Sequence, residues 1–212
     1  MQDNIVHYLI TLMLDVFYPP RDNEIIVRKC TINKLVDISF PKKYQVCNTE
    51  VTALLPFQNQ TVRALIHEAK YHSNKRAFSL LGSVLKDYLM ECSEEEGFGK
   101  MVLVPIPISS ARRKARGYNQ TEKIAREAVQ ENIQLETKIL KRVMDTVSQT
   151  TLPRRERLLN MCGAFGAAQP IDRDCTYIIF DDVVTTGATM QSAIDALVSG
   201  GATRIMPIAL SH

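Results

Sequence analysis

The sequence predicts an α/β fold, a mostly parallel doubly wound sheet with a small irregular N-terminal lobe, and three features predict it. Apolar runs at 101–106 and 177–180 have the composition of strands buried on both faces, and 204–210 reads as a further strand. Apolar residues at helical spacing stand before, between and after these runs, at 75–90, 122–131 and 190–198. Such alternation is the pattern of parallel crossovers. With 212 residues, 45% of them apolar, there is material for one core. The expected division is a lobe over 1–60 and the sheet domain over 61–212.

Residues 5–18 are apolar-rich but interrupted by Thr11 and Asp15, and they are too short to span a bilayer. They read as an amphipathic helix stopped by Pro19-Pro20 and packed on the body. The start Met1-Gln2-Asp3 lacks the basic beginning of a secretory signal. Residues 21–60 hold short β-branched runs at 25–27 and 36–38 among charges, punctuated by Pro41 and Pro56, and give the irregular lobe. Val62, Leu65, Ile66 and Ala69 have helical spacing, as do Ala77, Phe78, Leu81, Val84, Leu85 and Leu89. Gly97 and Gly99 mark the turn into the strand at 101–106. Pro107 and a loop over 109–119 follow, then a helix over 122–131. Residues 142–160 are polar and basic with little periodicity, as in a long mobile loop running into a short helix. Gly200-Gly201 turns the chain from the helix at 190–198 into the last strand.

Charge is unevenly placed. Residues 109–126 carry a net +5 and residues 138–157 a net +4, against +3 for the whole chain, so the remainder is net negative. Concentrated positive charge suits a polyanion site. The five cysteines, Cys30, Cys47, Cys92, Cys162 and Cys175, form no C-x-x-C pair. Neither a disulfide framework nor a zinc ribbon is indicated, and a reducing cytoplasmic compartment is expected. His7, His67 and His72 read as surface or packing residues rather than ligands.

Two segments carry chemistry. In the first, Tyr177-Ile178-Ile179-Phe180 runs into Asp181-Asp182, then Val183-Val184-Thr185-Thr186-Gly187-Ala188-Thr189, then a helix. A buried parallel strand ends there, where open α/β sheets bind ligands. Backbone N–H groups over 185–189 and the new helix N-terminus would hold an anion. Gly187 allows a positive φ and close approach, and the threonine hydroxyls add donors. The two carboxylates accept from hydroxyls or bind a metal. Phosphate and vicinal diol in one place mean a sugar phosphate. An ordinary βα turn with a capping threonine needs no pair of carboxylates in front of it.

In the second, Val104-Pro105-Ile106-Pro107-Ile108 leaves a strand and enters a stretch with Arg112, Arg113, Lys114 and Arg116, then Gly117-Tyr118-Asn119-Gln120. Two prolines fix the exit path. Arginine forks match phosphate oxygens. A solvated basic loop before a helix, with Asn119 as its cap, is the alternative.

The first segment resembles the phosphoribosyl pyrophosphate (PRPP) loop of type I phosphoribosyltransferases. The second, V-P-I-P-I-x₃-R-x₃-R-G-Y-N-Q, resembles the signature of the ComF (ComFC) family of phosphoribosyltransferase-like competence proteins. Lys70-Tyr71 is similar to that family's L-K-Y segment, with Ala69 in place of the leucine. Gln149-Thr150-x-Leu152, Arg157, Asn160 and Gly163-Ala164-Phe165 resemble a further region. The resemblance covers roughly 60–212. It departs at Phe17-Tyr18-Pro19-Pro20-Arg21, which Asp22 follows where the family's first zinc-ribbon cysteine would stand. Cys30 and Cys47 have no near partners, so no structural zinc is expected.

The resemblance implies a type I phosphoribosyltransferase-like fold that binds PRPP with Mg²⁺ and transfers phosphoribose to an unnamed acceptor, releasing pyrophosphate. Asp181, Asp182, Val183, Thr185, Thr186, Gly187, Ala188 and Thr189 would hold PRPP. Asp181 and Asp182 would meet the metal mostly through sugar and water. Pro107, Arg112, Arg116, Asn119 and Gln120 would take pyrophosphate, and Arg142, Gln149 and Arg154 would close over the reacting centre. The implied setting is DNA uptake in natural competence, with single-stranded DNA and DNA-uptake proteins as partners. The alternative is a non-catalytic protein that responds to PRPP or binds single-stranded nucleic acid, with Tyr71 and Tyr118 as stacking surfaces. Met190 stands where some purine transferases carry a proton-transfer group.

Overall fold

The computed structural model describes residues 19–94, 99–143 and 163–212. Residues 21–38, expected to be irregular, form two short helices, α1 (Asp22–Lys29) and α2 (Ile32–Ile38). Local charge favours α1: Asp22 and Glu24 lie in its first turn, Arg28 and Lys29 in its last. Arg76 donates to the carbonyls of Val27 at 3.1 Å and Cys30 at 2.7 Å, adding side-chain donors at the C-terminal end of α1. Val27 and Leu35 are fully buried. Tertiary burial therefore overrides the β-branched composition of these runs.

Strands β1 (Lys42–Val46) and β2 (Thr49–Leu55) form an antiparallel hairpin with Cys47 at φ 53° in its turn. β2 pairs in parallel with the last strand, so part of the expected N-terminal lobe is an edge of the main sheet. Helix α3 (Gln60–Tyr71) follows, its N-terminus capped by the Asn59 side chain at 2.9 and 3.4 Å. Helix α4 (Lys75–Glu94) follows in turn. Next come β3 (Lys100–Pro105), helices α5 (Ser110–Arg116) and α6 (Gln120–Glu127), and strands β4 (Ile133–Leu135), β5 (Leu140–Arg142) and β6 (Phe165–Ala167). β7 (Cys175–Val183), α7 (Ala188–Ser199) and β8 (Arg204–Ser211) complete the fold.

The six-stranded sheet has the order β1-β2-β8-β7-β3-β4, parallel except for β1. β7, inside the sheet, alternates between two cores. Ile178 and Phe180 join Leu65, Leu81, Leu85 and Ile124 on the face of α3, α4 and α6. Tyr177 and Ile179 join Met190, Ala193 and Leu197 of α7 on the other. β5 and β6 form a separate antiparallel pair packed on the α7 side.

The stretch expected as a loop over 109–119 contains α5. Ser109 caps it, accepting from the Arg112 N–H at 3.3 Å, and Gly117 at φ 79° ends it. It buries no residue, so it leaves no apolar periodicity to read. The expected helix over 5–18 and most of the basic stretch over 142–160, with Gln149 and Arg154, lie outside the described residues. Among the described residues no helix is long and apolar enough to cross a membrane.

Candidate functional site

The connection after β3 leads outward to β4, whereas the connection after β7 leads the other way to β8. The carboxyl ends of β3 and β7 therefore flank a topological switch point, with Pro105 registered against Phe180. The Ile106 N–H continues this contact to the Phe180 carbonyl at 2.9 Å. Both sequence segments that carry chemistry thus emerge side by side.

Asp181 and Asp182 lie near the end of β7, and the alternation of its residues sends their side chains apart. Asp182 is buried, and both its oxygens are engaged. Oδ1 faces Lys70 Nζ at 3.1 Å, and Oδ2 accepts from Gln120 Nε2 at 2.8 Å. Gln120 Oε1 in turn accepts from Arg116 at 2.8 Å, and the Arg116 guanidinium lies 5.0 Å from the centre of the Tyr71 ring. One chain of contacts thus links α3, α5, α6 and β7. Asp181 is less buried, and its Oδ1 accepts the Asp182 N–H at 2.8 Å. Burial, and then the charge of Asp182, push the Asp181 carboxyl up to about 7, while Lys70 and Arg112 oppose the shift.

After β7 the chain turns through Thr185 and Thr186 into Gly187, which has φ 76° and is the N-cap of α7 without a side-chain cap. The Ala188 N–H reaches Thr186 Oγ1 only at 3.5 Å, the limit of a hydrogen bond. The turn of the β1–β2 hairpin fastens this loop. Cys47 Sγ donates to the Thr186 carbonyl at 3.2 Å, and Thr49 Oγ1 donates to Gln191 Oε1 at 2.6 Å. Gly187 lies so close to Val46 that a Cβ there would fall 2.5 Å from the Val46 Cβ.

The expected residues separate as follows. Asp181, Asp182, Val183, Thr185, Thr186, Gly187, Ala188 and Thr189 form one continuous strand end, loop and helix start. Pro107, Arg112 and Arg116 lie beside them after β3. Asn119 is buried; its amide donates to the Ile106 carbonyl at 3.1 Å and its oxygen caps α6 at 3.2 Å. Gln120 is buried too, with its amide spent on Asp182 and Arg116. Arg142 stands on β5, outside the main sheet, with its guanidinium 5.3 Å from the Phe165 ring centre. Tyr118 is no open stacking surface. Its hydroxyl donates to the Ala69 carbonyl at 2.8 Å and accepts the Ser73 N–H at 2.9 Å, and its ring meets Phe78 edge-on. Tyr71 is 59% exposed.

Lys70, Val46, Cys47 and Thr49 were missed. Lys70 had one signal, its place in the segment resembling L-K-Y. The hairpin residues had none, because their contacts with the loop span about 140 positions of sequence, as in the separations of 139 and 142 for Cys47 and Thr49.

No protein-family model matches the chain. It is similar to the DNA utilization protein YhgH of Escherichia coli K12, 27% identical over 143 residues, and to that of Salmonella typhi, 26% identical over the same length. Each match covers 66% of this chain and 63% of the relative, so the chain spans less than two thirds of the relatives' length. A hypoxanthine phosphoribosyltransferase from Staphylococcus aureus superposes with a TM-score of 0.37 and 13% identity over 61% of each chain.

Proposed function

We propose that this protein binds PRPP, with Mg²⁺, at the carboxyl ends of β3 and β7 and transfers its phosphoribosyl group to an acceptor. The observation that carries the reading is the acidic pair of β7 running into a left-handed glycine turn and an uncapped helix N-terminus. Anion donors and diol acceptors then lie within one short segment. The 5′-phosphate would take the free amides of the first turn of α7 and the hydroxyls of Thr185, Thr186 and Thr189.

The two carboxylates divide the work. Asp182 already satisfies Lys70 and Gln120, so its role is to hold those groups in place. Asp181 retains an oxygen for the ribose hydroxyls. A hard cation takes carboxylate and water oxygens, so the donor set suits Mg²⁺, which Asp181 and Asp182 would hold mostly through water and the sugar. When bound, that ion would supply positive charge to the departing pyrophosphate. Arg112 and the backbone after Pro105 would bind pyrophosphate, and Arg116 would brace Gln120. In the transfer, the acceptor's lone pair forms a bond to ribose C1 while the C1–O bond to pyrophosphate breaks and its electrons leave with the pyrophosphate. Positioning and electrostatic stabilisation suffice for such a step.

The similarity to DNA utilization proteins supports a setting in DNA uptake. A second reading, direct contact with single-stranded nucleic acid, is favoured by the exposed basic residues Arg112, Arg113 and Lys114 on α5, whose Arg116 lies over the ring of exposed Tyr71. Calorimetric titration of PRPP with Mg²⁺ into wild type and Asp181→Asn separates them. Saturable binding lost in the variant supports the sugar-phosphate site. No binding to folded wild type rejects it. Binding of an oligonucleotide that survives Asp181→Asn and falls steeply with salt supports the second reading.

A further inference from the structure

We propose that His67, Glu68 and His72, on the last turn of α3, form a binding site for a divalent transition-metal cation of the zinc class. Each offers one ligand atom, and the three atoms lie within 4.8 Å of one another. Sequence spacing hides this arrangement. Glu68 and His72 are four apart and share a helix face, but positions 67 and 72 of a regular helix diverge. The helix ends at His72, which has φ −124° and ψ 5°, and this departure brings its ring to 5.5 Å from that of His67. His72 Nε2 faces Glu68 Oε1 at 3.9 Å.

The ligand class follows from the donors. Two imidazoles and one carboxylate suit zinc, cobalt or nickel rather than magnesium or calcium. Bonds of about 2.0–2.2 Å bring the donors of a tetrahedral site to roughly 3.4 Å from one another. Side-chain rotation of the two exposed histidines closes the remaining gap, because neither ring is packed in the core. The carboxylate is already oriented. Glu68 is fully buried, receives Arg21 at 3.2 and 2.9 Å and Asn74 at 3.3 Å, and therefore presents a fixed oxygen edge. Arg21 also meets Glu24 at 3.1 Å, so a carboxylate partner remains for it when a cation shares Glu68. The site stands on α3 and its neighbours, independently of the sugar-phosphate reading.

The test is titration of Co²⁺ into the full chain, followed by visible absorption, with Zn²⁺ as competitor. The same titration is made on His67→Ala and His72→Ala, substitutions at exposed positions that leave the Glu68–Arg21 pair intact. The expected result is one saturable equivalent displaced by Zn²⁺, without a thiolate charge-transfer band. Its affinity should fall more than about 100-fold in each variant, beyond the loss typical of a supporting residue. A wild type that binds no ion, a thiolate spectrum, or either variant binding as the wild type does would overturn the site.

Discussion

Replacing Gly187 by alanine tests how the candidate loop is held. At φ 76° an L-residue pays a backbone cost of about 1–2 kcal/mol. The new Cβ would also stand 2.5 Å from Val46 Cβ, 2.7 Å from Val46 Cγ2 and 3.4 Å from the Val46 backbone carbon. A Cβ cannot rotate away, so either the loop or the hairpin must shift, at about 1–3 kcal/mol. Together these predict destabilisation of about 2–5 kcal/mol, measured by urea unfolding with the slope checked against wild type. Val46→Gly alone, which removes the Cβ as well as the methyl groups, costs roughly 2–4 kcal/mol for the lost core side chain and the freer strand backbone. In the double variant Gly187→Ala/Val46→Gly both side-chain overlaps disappear while the backbone cost at 187 remains, giving a coupling of about 1–3 kcal/mol. Stability of Gly187→Ala within about 0.5 kcal/mol of wild type, or no coupling to Val46→Gly, would refute the claim that the hairpin fastens the loop.

Asp181 is held up to about 7, so the folded chain keeps a proton that the unfolded chain releases near pH 4. Its contribution to stability therefore falls as pH rises from about 4 to 7, and the wild-type minus Asp181→Asn difference in urea midpoint should show that slope. Removing a lysine that opposes this shift, by Lys70→Met, should move the Asp181 titration further up and cost about 2 kcal/mol, since Asp182 keeps one donor but loses its counter-charge. Lys70→Arg should restore most of both, as read by pH-dependent unfolding. Burial would raise the Glu68 carboxyl, but the hydrogen bonds from Arg21 and Asn74 outweigh it and hold the group below its usual value. That stability is present above about pH 4.3 and is lost as pH falls through the lowered value. Arg21→Ala should accordingly cost about 2–3 kcal/mol at pH 7 and flatten the acid limb of the unfolding profile.

The central strands β3 and β7 were legible because burial on both faces writes itself as uninterrupted apolar runs such as Tyr177-Ile178-Ile179-Phe180. Long amphipathic helices such as α4 were legible for the same reason at another period. β1 and β2 were not, because Lys42, Lys43, Gln45 and Glu50 are exposed on an edge hairpin and dilute the alternation. Nor was α5, which buries nothing. β4, β5 and β6 are three residues each, too short for a period. At the candidate site, the strand, loop and helix around Asp181 lie in one stretch of sequence and could be read directly. The partners of Asp182 could not. Lys70 and Gln120 come from α3 and α6, and only the packing of both helices on one sheet face brings them to the same carboxylate.

Hydrogen–deuterium exchange with and without Mg²⁺–PRPP tests the central claim most directly, because it locates the ligand on the chain. The account predicts slowed exchange over 185–190 and 106–112, flanking the ends of β7 and β3, and none of it in Asp181→Asn. Unchanged exchange there at saturating PRPP, or protection confined to β5 and β6, would contradict it.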